Sequence, residues 1–209
     1  MKSPPLILAS ASPRRKEILE AHGHSFTIIP ADVDESVPDG LNFTPEETAI
    51  YLAELKAEAV FKSLNPEDWP DGCIVLGVDT IVYKNHIIGK PIDETDALNI
   101  LRFLKDTTHQ VISGVCLLFA SQPSLRGTKQ SISKPSEKVV FADTTTVRFG
   151  PYTDDEILTY IRANPPYDKS GSYAVQSDWG RHVLSIDGDI ENVIGLPYQK
   201  IAPYLQCSS

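Results

Sequence analysis

The sequence predicts an α/β protein in which helices pack on a mixed β-sheet. Residues 73–83 form a nearly continuous apolar run rich in β-branched residues, which is typical of a central strand. Segments starting at Thr44 and Thr153 carry the Thr-x-x-Glu pattern of a helix capping box. A hairpin signal directly after residue 83 adds an antiparallel strand. This mixture of hairpins and isolated helices argues against a strictly alternating βαβ fold.

The first third of the chain predicts two short strands and two helices. Residues 6–9 predict a buried strand, followed by a tight turn and a helix with Ser12 as its N-cap and Pro13 as its first residue. Residues 26–30 predict a second short strand. The capping box at Thr44 should open a helix that ends near Leu64.

The middle of the chain predicts most of the sheet. The strand over residues 73–83 turns through residues 84–86 towards residues 86–91, and Asp93 and Asp96 then cap a helix. Residues 109–120 and 138–149 are long β patterns. The Ser/Lys/Pro-rich stretch between them, residues 121–137, has the composition of a mobile surface loop.

The last third predicts a helix from the capping box at Thr153 to about Ala163. A loop over residues 165–171 should lead into a short strand that carries Tyr173 and Gln176. A strand over residues 181–187 and a final helix after residues 195–197 complete the chain. We find no internal repeat, and we expect the glycines at positions 188 and 195 to be structural.

Charge and cysteine usage narrow the class of protein. The 209 residues are enough for a sizeable core, and the net charge of −9 makes a nucleic acid polymer an unexpected partner. The apolar run near the start of the chain is too short for the hydrophobic region of a signal peptide. No apolar run is long enough to cross a bilayer. Cys73, Cys116 and Cys207 lack the spacing of a disulfide framework or a zinc site, so we expect a cytoplasmic protein.

The helix predicted after Ser12 begins with positive charges, which are unfavourable at the N-terminus of a helix. Arg14, Arg15 and Lys16 occupy its first turn, where the helix dipole favours Asp or Glu. A strand, a tight turn and the free N–H groups of a helix N-terminus already form an anion site. A solvated basic face would also explain such a sequence, but the violated local rule favours a bound polyanion. We expect Lys16 to be a solvated helix residue.

Two charged residues lie within patterns that predict burial. Lys56 interrupts the apolar stripe of the predicted helix 44–64, and its side chain either reaches the surface or points into a cleft towards a carboxylate or phosphate. Asp79 lies in the central strand, where a carboxylate costs several kcal/mol unless it is paired, hydrogen-bonded or bound to metal. The preceding Gly77 is expected to mark a close backbone approach.

Further cations lie in loops. Lys90 sits on a rigid turn before Pro91, and Lys169 follows Asp168 in the loop before Gly171. Cations gathered at unusual positions of an acidic protein indicate a small polyphosphate, and a nearby carboxylate fits metal-assisted hydrolysis of a phosphoanhydride. No Gly-x-x-x-x-Gly-Lys-Ser/Thr loop is present, so the chain is not a P-loop protein.

Seven stretches of the chain resemble, in order and in approximate spacing, the Maf family of house-cleaning nucleoside triphosphate pyrophosphatases. The resemblance covers about residues 5–204 and implies an inosine-triphosphatase-like mixed sheet in two lobes with a central cleft. It also implies release of pyrophosphate from a nucleoside triphosphate and use of a divalent cation. The stretches are LASASPRRKEIL, DVDES, ELKA, GVDTIV, GKP, YDKSGSYAVQ and NVIGLP.

The resemblance also implies roles for single residues. The proton acceptor of the family matches Asp79, and its base-specificity positions match Arg14, Thr80 and Gln176. The site expected from motif and resemblance together contains the catalytic residues Asp79, Glu35, Lys56 and Lys90, the substrate-binding residues Ser10, Arg14, Arg15, Thr80, Lys169 and Gln176, and a Mg²⁺ or Mn²⁺ ion at Asp79 and Glu35.

The pattern of the specificity residues is similar to that of the dTTP/UTP branch of the family. Thr80 follows Asp79, and Tyr173 and Gln176 follow the Asp-Lys pair, as in that branch. Departures such as Val78 in place of an alanine affect base preference more than the reaction. A 7-methyl-GTP or purine-directed enzyme and a non-catalytic nucleotide-sensing protein are the alternatives. The family also implies a homodimer.

Overall fold

The computed structural model describes residues 4–38, 40–70, 72–120 and 134–205. Most of the loop predicted to be mobile, residues 121–133, lies outside these residues, as does Cys207; Glu137 at the end of that stretch already belongs to a strand. The strands are β1 Leu6–Leu8, β2 Phe26–Ile28, β3 Cys73–Lys84, β4 His86–Ile88, β5 Thr108–Ala120, β6 Glu137–Phe149 and β7 Val183–Asp187. The helices are α1 Pro13–Ala21, α2 Pro45–Ser63, α3 Glu94–Leu104, α4 Asp154–Ala163, α5 Ile190–Ile194 and α6 Tyr198–Leu205, with 3₁₀ turns at Pro66–Asp68, Ser170–Ser172 and Asp178–His182.

The strands form one seven-stranded mixed sheet, which confirms the predicted fold class. Its order is β2-β1-β3-β5-β6-β7, with β4 paired to β3. The pairs of β1 with β2 and with β3 are parallel, whereas β3, β5, β6 and β7 are antiparallel. The division into two lobes stays a prediction.

Within the described residues, strand β3 lacks a partner strand along part of one side. β5 pairs with nearly the whole of β3, but on the other side of β3 the last partner of β1 is Leu76 and the first partner of β4 is Val82. In the described part of the chain, residues 77–81 therefore have no strand on that side. Asp79 and Thr80 lie in this gap, next to the turn that joins β1 to α1.

Helix α2 lies across one face of the sheet at unusually short distance. A Cβ atom at Gly77 would come within 2.3 Å of the carbonyl oxygen of Ala53, and one at Gly114 within 2.1 Å of the carbonyl group of Ala49. Both strands thus need glycine for the helix to approach, as the sequence indicated for Gly77. This contact brings Lys56 of α2 over the gap in β3.

Alternating strand residues fill the core on the two faces. Ile7 and Val75 pack with Ala57 beneath α2, while Leu8 and Leu76 pack with helices on the opposite face. The described residues contain no helix with the length and apolar character needed to cross a bilayer.

The predicted helix starts are confirmed in position. Thr44 and Thr153 form complete capping boxes, and Asp93 caps α3 by accepting from the amide of Asp96. Ser12 is the N-cap of α1, but its side chain makes no capping hydrogen bond.

Two predictions for the last third were wrong. The segment with Tyr173 and Gln176 is not a strand, because positive φ angles at Gly171 and Ser172, 73° and 63°, turn the chain instead. The strand expected from residue 181 begins at Val183, since residues Asp178–His182 form a 3₁₀ turn. Helix α5 was missed because it has only five residues.

Candidate active site

A cavity of about 370 Å³ opens at the gap in β3. Its wall is built from the turn between β1 and α1, the segment after β2, helix α2, the middle of β3, the loop after β4, part of β5, the segment around the 3₁₀ turn Ser170–Ser172, and the end of α5. All ten residues predicted for the site line this one cavity: Ser10, Arg14, Arg15, Glu35, Lys56, Asp79, Thr80, Lys90, Lys169 and Gln176.

Lys56 bridges the two predicted catalytic carboxylates. Its Nζ donates to Oδ1 of Asp79 at 2.6 Å and lies 3.0 Å from Oε1 of Glu35. The side chains of Lys56 and Asp79 are each 11% exposed, whereas that of Glu35 is 47% exposed. Lys56 therefore points into the cavity, and the charge of Asp79 in the central strand is paired.

Arg15 is fixed by protein groups on three sides. Its Nη1 donates to Oγ of Ser10 at 2.8 Å, its Nε to the carbonyl oxygen of Gly195 at 3.0 Å, and its Nη2 to Oγ1 of Thr80 at 3.2 Å. Burial lowers the pKa of the Arg15 guanidinium, and the neighbouring Asp79 carboxylate partly offsets this effect. Arg15 thus holds the β1–α1 turn against β3 and α5 while contributing positive charge to the cavity wall.

Two residues that contact Thr80 or Arg15 were not among the predicted site residues. Ser113 lies opposite Thr80 on β5, and their hydroxyl oxygens are 2.9 Å apart. A hydroxyl within the apolar pattern of residues 109–120 was the available signal. Gly195 was expected to be structural; its φ of 130° and its carbonyl bond to Arg15 show that it also shapes the cavity wall.

Arg14 and Lys169 meet at a shared carboxylate. Nη1 of Arg14 donates to Oδ2 of Asp168 at 2.9 Å, and Nζ of Lys169 pairs with the other oxygen. Burial alone would raise the pKa of Asp168, but hydrogen bonds from Lys169 and Arg14 outweigh it and lower that pKa. Asp168 therefore stays ionised and holds both cations at the cavity wall.

The cavity carries an excess of positive charge. Lys90 has no ion-pair partner within the described residues, and five cations face three carboxylates around the wall. In a protein with a net charge of −9, such a local excess indicates an anionic ligand. The five cations are Arg14, Arg15, Lys56, Lys90 and Lys169.

Another part of the wall is apolar. Val82, Val111 and Tyr173 line the cavity and belong to a single buried cluster, with Val193 packed against it. Gln176 also lines the cavity and brings an amide group to its wall. A site with one charged and one apolar region suits a ligand with the same division, such as a nucleotide.

The donor atoms fit a divalent cation that arrives together with phosphates. The described residues contain no group of three or more His, Cys, Asp or Glu side chains that could hold a metal ion by themselves. Glu35 and Asp79 nevertheless lie within 3.0 Å of the same ammonium nitrogen, so their carboxylates converge on one point. Mg²⁺ is commonly bound by one or two carboxylates and by substrate phosphates.

Comparison with known proteins identifies the family of this chain. The family model described as "Maf-like protein" matches residues 5–207. A dTTP/UTP pyrophosphatase of Exiguobacterium sibiricum is 40% identical over 203 residues, which is 97% of this chain and 91% of the relative. The protein of the same name from Bdellovibrio bacteriovorus is 38% identical over 93% of each chain, and that from Lachnoclostridium phytofermentans 35% identical over 94% and 91%. With its family model matched almost from end to end, the chain belongs to the Maf family.

Proposed function

We propose that this protein is a nucleoside triphosphate pyrophosphatase that hydrolyses dTTP and UTP to the monophosphate and pyrophosphate. The observation that carries the proposal is the pairing of Asp79 and Glu35 on Lys56 inside a cavity rich in further cations. The names of the relatives support the choice of dTTP and UTP among triphosphates.

In the proposed complex, the cationic part of the wall binds the triphosphate. Lys90, which has no ion-pair partner within the described residues, is free to bind a phosphate. Lys56 is oriented by Asp79 and Glu35, and Arg14 and Lys169 by Asp168. Glu35 and Asp79 would hold a Mg²⁺ or Mn²⁺ ion, which neutralises charge on the phosphates when it is bound. The nucleoside then lies along Val82, Val111 and Tyr173.

The proposed reaction is the addition of water to the α-phosphorus. A bond forms between the water oxygen and this phosphorus, while the bond from the α-phosphorus to the α–β bridging oxygen breaks and pyrophosphate leaves with the electron pair. The carboxylate of Asp79 accepts the proton of the water, as a general base held in place by Lys56.

The test of the proposed reaction is Asp79→Asn. This variant keeps the shape of the side chain but removes its basicity, so we expect pyrophosphate release from dTTP to fall by at least about 100-fold, the scale of general-base catalysis. Binding of dTTP, measured by calorimetry, and the far-UV circular dichroism spectrum should be retained. Pyrophosphate release within a few-fold of wild type would refute the role of Asp79.

A panel of triphosphates tests the base preference. We expect dTTP and UTP to give the highest kcat/KM, with Mg²⁺ or Mn²⁺ present. Gln176→Ala should change the ratio of kcat/KM between pyrimidine and purine triphosphates more than it changes the rate on the best substrate, because Gln176 lines the cavity and matches a base-specificity position of the family. A preference for 7-methyl-GTP, or binding without turnover, would favour the two alternative functions.

The location is proposed on the cysteine pattern, and the assembly on the family resemblance alone. We propose a cytoplasmic homodimer, in which no membrane or nucleic acid polymer takes part. Sedimentation of the purified protein tests the dimer.

A further inference from the structure

A buried histidine lies directly behind the apolar part of the cavity wall. His109 of β5 is only 2% exposed, and its Nε2 lies 2.8 Å from the hydroxyl oxygen of Tyr173. The rings of Phe149 and Tyr173 enclose it, with centroids 4.9 Å and 5.5 Å away. The proposed reaction gives this residue no part.

The contact with Tyr173 is the one polar interaction that the described residues offer the imidazole. Nδ1 of His109 is buried without a hydrogen-bond partner there. Burial, together with the charge of Lys84, lowers the pKa of His109 to about 4, so the ring is neutral near pH 7. A buried nitrogen without a partner costs free energy. An apolar residue would avoid this cost, and the bond to Tyr173 is what the histidine adds.

Tyr173 belongs to a segment that is tied down at several points. The amide of Gly171 donates to the carbonyl oxygen of Gly89 at 3.2 Å, and the amide of Ala174 donates to the hydroxyl of Tyr160 at 3.1 Å. The hydroxyl of Tyr173 is fixed by His109 between these two points. Tyr173 and Ala174 line the cavity, and Gln176 follows two residues later.

From this arrangement we propose that His109 is a positioning residue for the nucleoside. Through the hydroxyl of Tyr173 it sets the place of the wall segment 173–176, and it thereby acts on nucleotide affinity and not on the phosphoryl chemistry at Asp79. This inference rests on the proposed function, because it takes the apolar region as the nucleoside site.

The proposal separates two ligands that differ in the nucleoside. dTTP contacts both regions of the cavity, whereas inorganic tripolyphosphate has no nucleoside and contacts only the cations. A change in the wall segment should therefore alter KM for dTTP and leave the inhibition constant of tripolyphosphate unchanged. The kcat on dTTP should also stay within about twofold, since Lys56 and Asp79 are held by other elements.

Four variants test this expectation. Tyr173→Phe keeps the ring and removes the hydroxyl, and His109→Leu removes the imidazole; each should raise KM for dTTP about fivefold, the effect of one net hydrogen bond. The double variant should raise it no further, because both changes break the same contact. His109→Gln, which can place an amide nitrogen near the position of Nε2, should restore KM to within about twofold of wild type.

Tyr152→Phe is the matched control. The Tyr152 hydroxyl also makes a buried hydrogen bond, to the carbonyl oxygen of Leu101 at 2.7 Å, and its ring packs in the same cluster, but it does not line the cavity. We expect this variant to lower Tm without raising KM. The proposal is overturned if Tyr152→Phe raises KM as much as Tyr173→Phe, if the tripolyphosphate constant rises in parallel with KM, or if the double variant is additive.

Binding of dTMP separates this proposal from the proposed reaction. The dissociation constant of dTMP, measured by calorimetry, requires no turnover. If wild type binds dTMP but releases no pyrophosphate from dTTP, the proposed reaction fails. The positioning role then stands or falls on whether Tyr173→Phe and His109→Leu weaken dTMP binding.

Discussion

Nζ of Lys56 lies 2.6 Å from Oδ1 of Asp79, although one residue is on a helix and the other on a central strand. Both side chains are nearly buried, and the close contact of α2 with β3 makes the pair possible. A buried ion pair is weak evidence for stability by itself, but the loss of one partner leaves an uncompensated charge. The pair therefore links the stability of the fold to the integrity of the site.

The first prediction concerns the removal of Lys56. Lys56→Met leaves the Asp79 carboxylate without its cation, and we expect the free energy of unfolding to fall by about 3 kcal/mol. The double variant Lys56→Met/Asp79→Asn has no carboxylate left without a partner. Its loss in the free energy of unfolding should therefore be smaller than the sum of the losses of the two single variants. Urea denaturation of the four proteins measures the coupling between the two residues.

Lys62 provides the control on the same helix. It pairs with Glu58 at 3.3 Å, but its side chain is 74% exposed. Lys62→Met should change the free energy of unfolding by no more than about 0.5 kcal/mol. Equal losses for Lys56→Met and Lys62→Met would contradict a special role of the buried pair.

The second prediction concerns the close packing beneath α2. A methyl group at Gly77 would overlap the backbone of Ala53, so Gly77→Ala must push the helix away from the sheet. We expect a loss of about 1–3 kcal/mol in stability and a lower kcat, since Lys56 moves with the helix. Gly89→Ala is the control for stability, because a Cβ atom there meets nothing within 4 Å. Thermal unfolding and pyrophosphate release would measure the two effects, and unchanged values for Gly77→Ala would show that α2 can yield.

The sequence predicted the elements that depend on local chemistry. The helix starts at Thr44, Asp93 and Thr153 follow from side chains that cap neighbouring amides, and these were placed correctly. Positive φ angles at Gly171 and Ser172 break the expected strand, and a residue such as Ser172 gives no local signal for that conformation. Its φ angle is set by packing that involves distant parts of the chain.

The same distinction holds for the site. Violations of local rules at Arg15, Lys56 and Asp79 identified residues that the structure brings to one cavity. Ser113 gave only the weak signal of a hydroxyl within an apolar strand pattern, and Gly195, a glycine after a helix, violates no local rule. Their importance arises only when distant segments meet at Thr80.

The third prediction compares the two neighbouring arginines. The guanidinium of Arg15 donates three hydrogen bonds to protein groups, and a lysine ammonium lacks the planar geometry needed to replace them. We expect Arg15→Lys to destabilise the fold by about 1–3 kcal/mol. Arg14→Lys, at a more exposed pair with Asp168, should change stability by less than about 1 kcal/mol. Chemical denaturation tests both, and a larger loss for Arg14→Lys would show that the guanidinium of Arg15 is not the one that supports the turn.

The fourth prediction is a pH dependence of stability that comes from His109. Its pKa is lowered in the folded protein from 6.5 to about 4, because burial disfavours the charged ring. The unfolded chain therefore binds more protons than the folded one between these pH values, and stability falls as the pH falls through this range. A shift of this size corresponds to about 3 kcal/mol of stability that is present above pH 6.5 and lost towards pH 4.

His109→Gln removes the titrating group but keeps an amide that can bond to Tyr173. The free energy of unfolding of this variant should therefore fall less than that of wild type between pH 6.5 and pH 4, and the difference should be about 3 kcal/mol. Burial also lowers the pKa of His24 and His182, but both remain in the variant and their effects cancel in the difference. Urea denaturation of the two proteins at several pH values from 4 to 7 measures that difference, and parallel curves would show that His109 accepts a proton without cost.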